Sequence, residues 1–495
     1  MTPLDSLKTL VGEVVDLKHA ADLIEWDERV YMPPGGVGVH GEMSATLRRL
    51  AHEKFTSAEV GDAIEAARAA VASEDADSDA ARMVAVTARD FEKATRVPAD
   101  FVAEHAATVS TAQHVWAEAR ARADFQLFAP HLQKVVDLKR RYVTFFPPAD
   151  HPYDTLLDEY EPGMKTAEIQ RLFDVLRPRQ VAVIRAIADR ATPHSSLLEA
   201  PFAEGDIWSF AVDVVTAFGF DWTRGRQDKS VHPFATGIGS ADVRITTRWV
   251  EGQPLSLLFG TMHETGHALY EQGVSPAHHR TVLEGGASLG VHESQSRLWE
   301  NLVGRSRPFW DHFFPALQQR CRAQLAGATI DELYAAVNRV RPSLIRVEAD
   351  EATYNLHVML RLELELALVD GSLAVTDVPA AWNARMQEYL GLTPPDDAKG
   401  ALQDIHWSAG LFGYFATYTL GNVIAAQLWD RFGAIHPARD ADLARGEFAP
   451  LLDWLRAELH QHGRKFEPQE LVRRITGSPI DPEPYLRYLE TKYAA

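Results

Sequence analysis

Apolar residues recur at spacings of three and four along most of this chain, a periodicity that fits packed helices and leaves little room for sheet. From the N-terminus, Leu7, Leu10, Val11, Val14, Val15, Ala21 and Ile24 form one buried helical stripe. Similar patterns over 40–54, 57–73, 79–96, 99–123, 129–146 and 165–191 predict further helices, rich in alanine, leucine, arginine and glutamate. Met32-Pro33-Pro34-Gly35-Gly36 and Phe146-Pro147-Pro148 punctuate them. The clearest strand signal is 242–250, where polar and β-branched residues alternate. There is no repeat of fixed period and no Gly/Ser-rich linker. The expected fold is mainly α, one large body over 1–495 with one small β-sheet. It is divisible into an N-terminal helical part (about 1–200) and a part (201–495) that carries the motifs below.

Charge narrows the function classes. With 50 Lys and Arg against 69 Asp and Glu, the formal net charge is −19. Such a surface repels nucleic acid and anionic membrane, so neither is an expected partner. No apolar run reaches the length of a membrane span. The one cysteine, Cys321, cannot form an intrachain disulfide, which suits a reducing compartment. Met1-Thr2-Pro3-Leu4-Asp5 lacks a basic and apolar leader, and the expected location is cytoplasmic.

The segment that carries chemistry is His263-Glu264-Thr265-Gly266-His267. Residues four apart share a helix face, so His263 and His267 can present two imidazoles to one ion, while Glu264 stands where it can take a proton from a water held there. The helix itself is legible. Leu255, Leu258, Phe259, Met262, Gly266, Leu269 and Tyr270 form its stripe, Pro254 opens it, and Gly273 is the expected C-terminal cap. The pattern arises by chance about 0.06 times in a chain of this composition, so the bland reading is an amphipathic helix with two surface histidines. A catalytic zinc site needs a third protein ligand. A second helical pattern, 287–303, carries Glu293, which can return a carboxylate to the ion. Glu271 is a weaker rival, displaced about 6 Å along the axis from His267. Glu284 lies in a glycine-flanked turn, and His292 points about 100° from Glu293, as a packing or ligand-orienting residue would.

At these residues the chain resembles the carboxypeptidase Taq family of metallocarboxypeptidases. In order, the similar motifs are His232-Pro233-Phe234, Asp242-Val243-Arg244-Ile245-Thr246, the 263–267 segment, His292-Glu293-Ser294-Gln295, Ile345-Arg346-Val347-Glu348-Ala349-Asp350 and Gly400-Ala401-Leu402-Gln403-Asp404-Ile405-His406-Trp407. A weaker likeness extends through Trp26-Asp27 and Met32-Pro33, and through Tyr414 to Tyr418, with Ala416 where the family pattern leads one to expect proline. The resemblance implies a helical fold with a deep central groove like the neurolysin-type zinc peptidases. It also implies a homodimer, one Zn2+ per subunit that Co2+ can replace and activate, and release of single residues from peptide C-termini.

On that reading Glu264 is the general base, and His406, Tyr414 and Tyr418 are candidates to stabilise the oxyanion. The two tyrosines are equally explained as core aromatics. A substrate carboxylate is best gripped by a guanidinium, for which the resemblance favours Arg346; pairing with Glu348 or Asp350 is the plain alternative. Arg244 is second choice, oriented by Asp242, on a strand whose free edge could receive extended substrate. Gln403, Asp404 and His406 are expected to support the ligands or touch substrate, a plain buried polar network being the alternative, and Asp350 to support the ligands. His278-His279 reads as solvated loop, and Gly266 as a close approach of the strand to the metal helix. The competing functions are a zinc endo-oligopeptidase of neurolysin type and an inert helical binding protein; Glu264 argues against the latter.

Overall fold

A computed structural model describes residues 1–188 and 197–494 of the chain. Its first helix, α1 (Pro3–Val30), opens with a capping box: the Thr2 hydroxyl accepts from Asp5 N–H and the Asp5 carboxylate accepts from Thr2 N–H. There follow α2 (Val37–Phe55), α3 (Ala58–Ala70), α4 (Asp79–Arg96), α5 (Ala99–Arg122), α6 (Phe125–Val143), α7 (Pro152–Leu157), α8 (Thr166–Ala188) and α9 (Glu204–Phe218). The helices expected from the apolar stripes are all present. The stripe placed over 129–146 starts earlier, because Asp124 caps the helix by accepting from Gln126 N–H and Leu127 N–H. The last residues of the 165–191 helix, 189–191, lie outside the described residues.

Three short strands follow: β1 (Gly225–Lys229), β2 (Ala235–Gly237) and β3 (Val243–Thr247), in spatial order β1-β3-β2. The expected strand is therefore real but shorter, and it has no free edge. β1 pairs with it in parallel and β2 antiparallel, so the notion of substrate adding to β3 is corrected. The partners were illegible because β1 (Gly-Arg-Gln-Asp-Lys) carries no apolar alternation and β2 has three residues.

Beyond the sheet run α10 (Pro254–Gly273) and α11 (Leu289–Arg297), the latter continuing into a π-helical turn at Leu298–Val303. Then come α12 (Arg307–Arg320), α13 (Arg322–Leu325), α14 (Ile330–Val337), α15 (Tyr354–Asp370), α16 (Val378–Leu390) and α17 (Ala416–Ile435), and four further helices complete the described chain. Among the described residues the apolar core divides in two. A small cluster joins α1–α4 through Leu7, Val11, Phe55, Val60, Ile64 and Met83, with Leu283 reaching in from the loop after α10. A large one runs from α5 to the C-terminal helix. Cavities of about 290 and about 650 Å3 share Lys18, Phe55, Asp90 and Arg464, forming one groove between the N-terminal helices and the larger core.

Candidate metal centre

The centre is built where α10, α11 and α17 pass unusually close. A Cβ on Gly266 of α10 would stand 2.5 Å from the Gln295 carbonyl oxygen, and one on Gly421 of α17 would stand 2.4 Å from Glu293 Cγ. Two glycines thus let α11 sink between its neighbours and set Glu293 against the histidine face of α10. The close approach expected at Gly266 exists, but its partner is α11 and not the strand. Gly273 is likewise not a left-handed cap. It is the last residue of α10, and it lies bare because the His460 ring packs where its side chain would be.

His263, His267 and Glu293 each offer one ligand atom, all within 4.8 Å of one another. Glu293 Oε2 lies 3.6 Å from His263 Nε2 and 3.4 Å from His267 Nε2. Ligands bound tetrahedrally at zinc's usual distances are about 3.4 Å apart, so this donor set fits such an ion. Glu293 Oε1 accepts from Arg297 Nε at 2.7 Å, and Ser296 Oγ donates to Oε2 at 3.0 Å. Burial works against the Glu293 anion, but the Arg297 charge, with His263 and His267, holds its carboxyl well below the usual range.

Each imidazole is fixed from behind. His263 Nδ1–H donates to Glu300 Oε2 at 2.9 Å, leaving Nε2 free toward the centre. His267 Nδ1 lies 2.6 Å from His292 Nδ1, and His292 Nε2 lies 2.7 Å from Glu271 Oε1. One proton order satisfies this chain with His267 Nε2 left as a lone pair: His267 donates to His292, which donates to Glu271. Glu271 and His292 therefore serve the centre from outside it, and Glu284 is engaged elsewhere, accepting from Ser240 N–H and Arg280 N–H. Glu300 and Arg297 were not singled out from sequence. Arg297 lies four residues after Glu293 on one helix, a spacing that could have revealed it. Glu300 sits on the π-helical turn, whose altered phase hides it from a regular helical wheel.

Glu264 is buried, and among the described residues its carboxyl accepts no hydrogen bond. Burial pushes it up to about 7, with the His263 charge opposing and Glu293 and Glu300 adding to the rise. A carboxyl poised near neutrality can accept a proton and return it.

A second polar cluster adjoins the centre. Arg346 is 5% exposed and is gripped by Asp404 Oδ1, which accepts from its Nε at 3.1 Å and Nη2 at 2.8 Å; Arg346 Nη1 donates to Tyr354 Oη at 2.7 Å. The pairing with Glu348 or Asp350 does not occur. Asp404 also accepts from Arg361 Nε at 2.6 Å, and Gln403 Oε1 accepts from Arg346 N–H at 2.9 Å. His406 Nε2 stands 3.1 Å from Tyr418 Oη, and burial beside Arg346 pushes this imidazole down to about 3, keeping it neutral. Tyr418 lies under the Arg346 guanidinium at 4.9 Å and edge-on to Tyr414 at 5.4 Å; Tyr414 feels the Glu293 charge. Ala416 opens α17 between the two tyrosines, at a first-turn position that proline and alanine both suit.

Other expected residues lie apart. The Asp350 carboxylate accepts from the backbone N–H groups of Arg341, Ala352 and Thr353, shaping the entry to α15. Arg244 is held by Asp242 at 2.9 and 2.7 Å and lies 4.3 Å over the Trp26 ring, on the sheet against α1. His278, expected in solvent, is buried at 3% exposure, whereas His279 is open.

A mainly helical body with a two-histidine, one-carboxylate cluster beside a free carboxyl belongs, as a class, with the metallopeptidases. Residues 6–493 match the family described as carboxypeptidase Taq (M32) metallopeptidase. Thermostable carboxypeptidase 1 of Thermus thermophilus is 43% identical, with 100% of this chain and 99% of the relative aligned. The crystal structure of the M32 carboxypeptidase from Deinococcus radiodurans R1 is 42% identical, with a TM-score of 0.96 and 99% of both chains covered. Metallocarboxypeptidase 1 of Trypanosoma cruzi is 32% identical with a TM-score of 0.95, covering 100% of this chain and 99% of the other. The chain belongs to the carboxypeptidase Taq (M32) family and is a metallocarboxypeptidase, a peptide hydrolase that requires a divalent metal. The neurolysin-type endopeptidase alternative is not favoured.

Proposed function

We propose that the protein removes single amino acids from peptide C-termini, with His263, His267 and Glu293 holding the metal and Glu264 moving the proton. The observation that carries this reading is the convergence of two imidazole Nε2 atoms on one oxygen of Glu293, beside the buried carboxyl of Glu264, which accepts no hydrogen bond among the described residues. When bound, the divalent ion polarises the scissile carbonyl and acidifies water. Glu264 takes the proton from that water and passes it to the leaving amine nitrogen. Arg346, kept charged and rigid by Asp404, binds the substrate carboxylate, and neutral His406 with Tyr418 and Tyr414 supplies hydrogen bonds to substrate and oxyanion. Gln403 and Asp404 hold that face; Asp350 sets the turn behind it. Arg244, oriented by Asp242 and Trp26, is the second carboxylate-binding candidate.

The nitrogen-rich donor set, with Nε2–Oε2 separations of 3.6 and 3.4 Å, favours zinc, with cobalt able to replace it. The family likeness supports a homodimer, and a lone buried Cys321 suits the cytoplasm. Residues 1–495 act as one catalytic unit, with the groove between the N-terminal helices and the remainder. No described helix is long and apolar enough to cross a membrane.

Mass spectrometry of an N-terminally blocked peptide incubated with metal-loaded protein tests the reading. The expected product is a ladder that loses one C-terminal residue at a time, abolished when the C-terminus is an amide. Internal cleavage, or equal cleavage of the amide, would overturn it.

A further inference from the structure

The cavity of about 650 Å3 stands out for its charge. In a chain of net charge −19, its wall carries Lys18, Arg48, Arg89, Lys93, Lys139 and Arg464 against three acids, Asp90, Asp158 and Glu159. Those acids are already engaged. Lys93 pairs with Asp158 at 2.8 Å and Glu159 at 3.1 Å, and Asp90 pairs with Arg464 at 2.9 Å and Arg89 at 3.4 Å. Arg48 turns to Asp22 and Glu25. Among the described residues Lys139 makes neither a hydrogen bond nor an ion pair, although it is half-buried on α6, and His105 on the same wall has a buried Nε2 with no partner.

An ammonium withdrawn from water with no carboxylate in direct contact is costly unless a ligand supplies one; among the described residues Lys139 Nζ has only the Tyr142 ring, at 5.8 Å, over which to rest. Burial accordingly pushes the Lys139 ammonium down to about 8, with Glu159 and Glu365 opposing. The cavity also adjoins the centre. Tyr160 lines it, stacks edge-on to Tyr414 at 5.2 Å, and accepts through its carbonyl from Leu289 N–H at the start of α11. A carboxypeptidase places one residue beyond the scissile bond, so a cavity of this size serves the chain that precedes it.

Resting on the carboxypeptidase reading, we propose that this cavity is a subsite for acidic side chains upstream of the cleaved bond, with Lys139 as the cation that recognises them and Lys18, shared with the smaller cavity, as a second cation on its wall. The ligand chemistry is a carboxylate on a peptide, and a small free anion is the other source that the test separates.

The test uses metal-loaded protein and N-acetylated hexapeptides with one common C-terminal pair, in which a single Glu replaces Gln at each upstream position in turn. Cleavage and fluorescence-anisotropy binding are both measured at low salt. The expected result is a preference for Glu of about tenfold at one or more upstream positions, carried by KM and by Kd. That ratio should fall to near one in Lys139→Gln and persist in Lys139→Arg. Equal binding of Glu and Gln peptides at every position, or a preference untouched by Lys139→Gln, overturns the proposal. Inorganic phosphate that inhibits through Lys139 while Glu and Gln peptides bind alike would mark a small-anion site and overturn it too. Failure of both peptides to be cleaved would sink the carboxypeptidase reading alone, because the binding ratio still decides the subsite.

Discussion

Arg297 Nε stands 2.7 Å from Glu293 Oε1, so the guanidinium occupies one carboxylate oxygen and leaves Oε2 to face His263 and His267. The division of the carboxylate favours one-oxygen ligation and fixes its rotamer. Arg297→Leu should lower metal affinity about 10- to 100-fold while leaving the three ligands in place. Isothermal titration of the metal-free protein with Zn2+ measures this; unchanged affinity would show that Arg297 does not orient Glu293.

Among the described residues the Glu264 carboxyl accepts no hydrogen bond, so Glu264→Gln should leave metal content nearly intact while kcat falls about 10²- to 10⁴-fold. Metal analysis alongside steady-state kinetics separates the two effects. Retained turnover would remove Glu264 from the proton path.

Asp404 and the Tyr354 hydroxyl anchor Arg346 through three of the five guanidinium N–H donors, which leaves two for a substrate carboxylate. Arg346→Ala should depress kcat/KM on free-carboxylate peptides about 10- to 100-fold, the worth of a charge-assisted hydrogen bond. Binding of amidated peptides, read as competitive inhibition, should not change. An equal loss on both would assign Arg346 to structure alone.

Gly266 tests the packing that creates the centre. Its Cβ would have to fit 2.5 Å from the Gln295 carbonyl oxygen, a backbone atom that cannot turn aside. Gly266→Ala should cost about 1–3 kcal/mol of stability and reduce metal occupancy together. Denaturation and metal analysis of the variant check it, and a wild-type midpoint would mean that α11 is free to shift.

Two buried carboxyls give a pH signature away from the metal. Glu365 accepts from Tyr153 Oη at 2.5 Å, Trp407 Nε1 at 2.9 Å and Gly413 N–H at 3.1 Å, holding the segment that carries His406, and burial pushes it up to about 7. Glu161, which accepts from Gly290 N–H at the start of α11, is pushed by burial up to about 8. Both carboxyls start from 4.5, so at intermediate pH the folded protein keeps protons that the unfolded chain has released. Their contribution to stability is complete below about 4.5 and is lost as pH rises to 7 for Glu365 and to 8 for Glu161, by about 1.4 kcal/mol per pH unit each. Buried histidines such as His406 slope the other way below 6.5, so the difference between wild type and Glu365→Gln is the quantity to follow by urea denaturation. A difference independent of pH would contradict the assignment.

Much of this architecture was legible because helices advertise themselves. The stripes of α1–α6 and the paired histidines of α10 depend on spacings within a single element. Glu293 was legible for the same reason, as a carboxylate on the following helix. What stayed hidden depends on contacts between distant segments. The Asp404 clamp on Arg346 spans 58 positions, and the Glu365 anchor reaches Tyr153 across 212. No local pattern encodes such partners. β1 and β2 were missed because their pairing with β3, and not their own residues, makes them strands. Gly266 signalled a close approach, but only the fold says that α11 fills it.

The central claim is a metal held by two α10 imidazoles and one α11 carboxylate. Anomalous diffraction from crystals grown with Zn2+, recorded on both sides of the zinc edge, tests it most directly. One strong peak per chain within about 2.0–2.2 Å of His263 Nε2, His267 Nε2 and Glu293 Oε2 is the predicted result. A peak whose neighbours exclude Glu293, or no peak there under saturating metal, would contradict it.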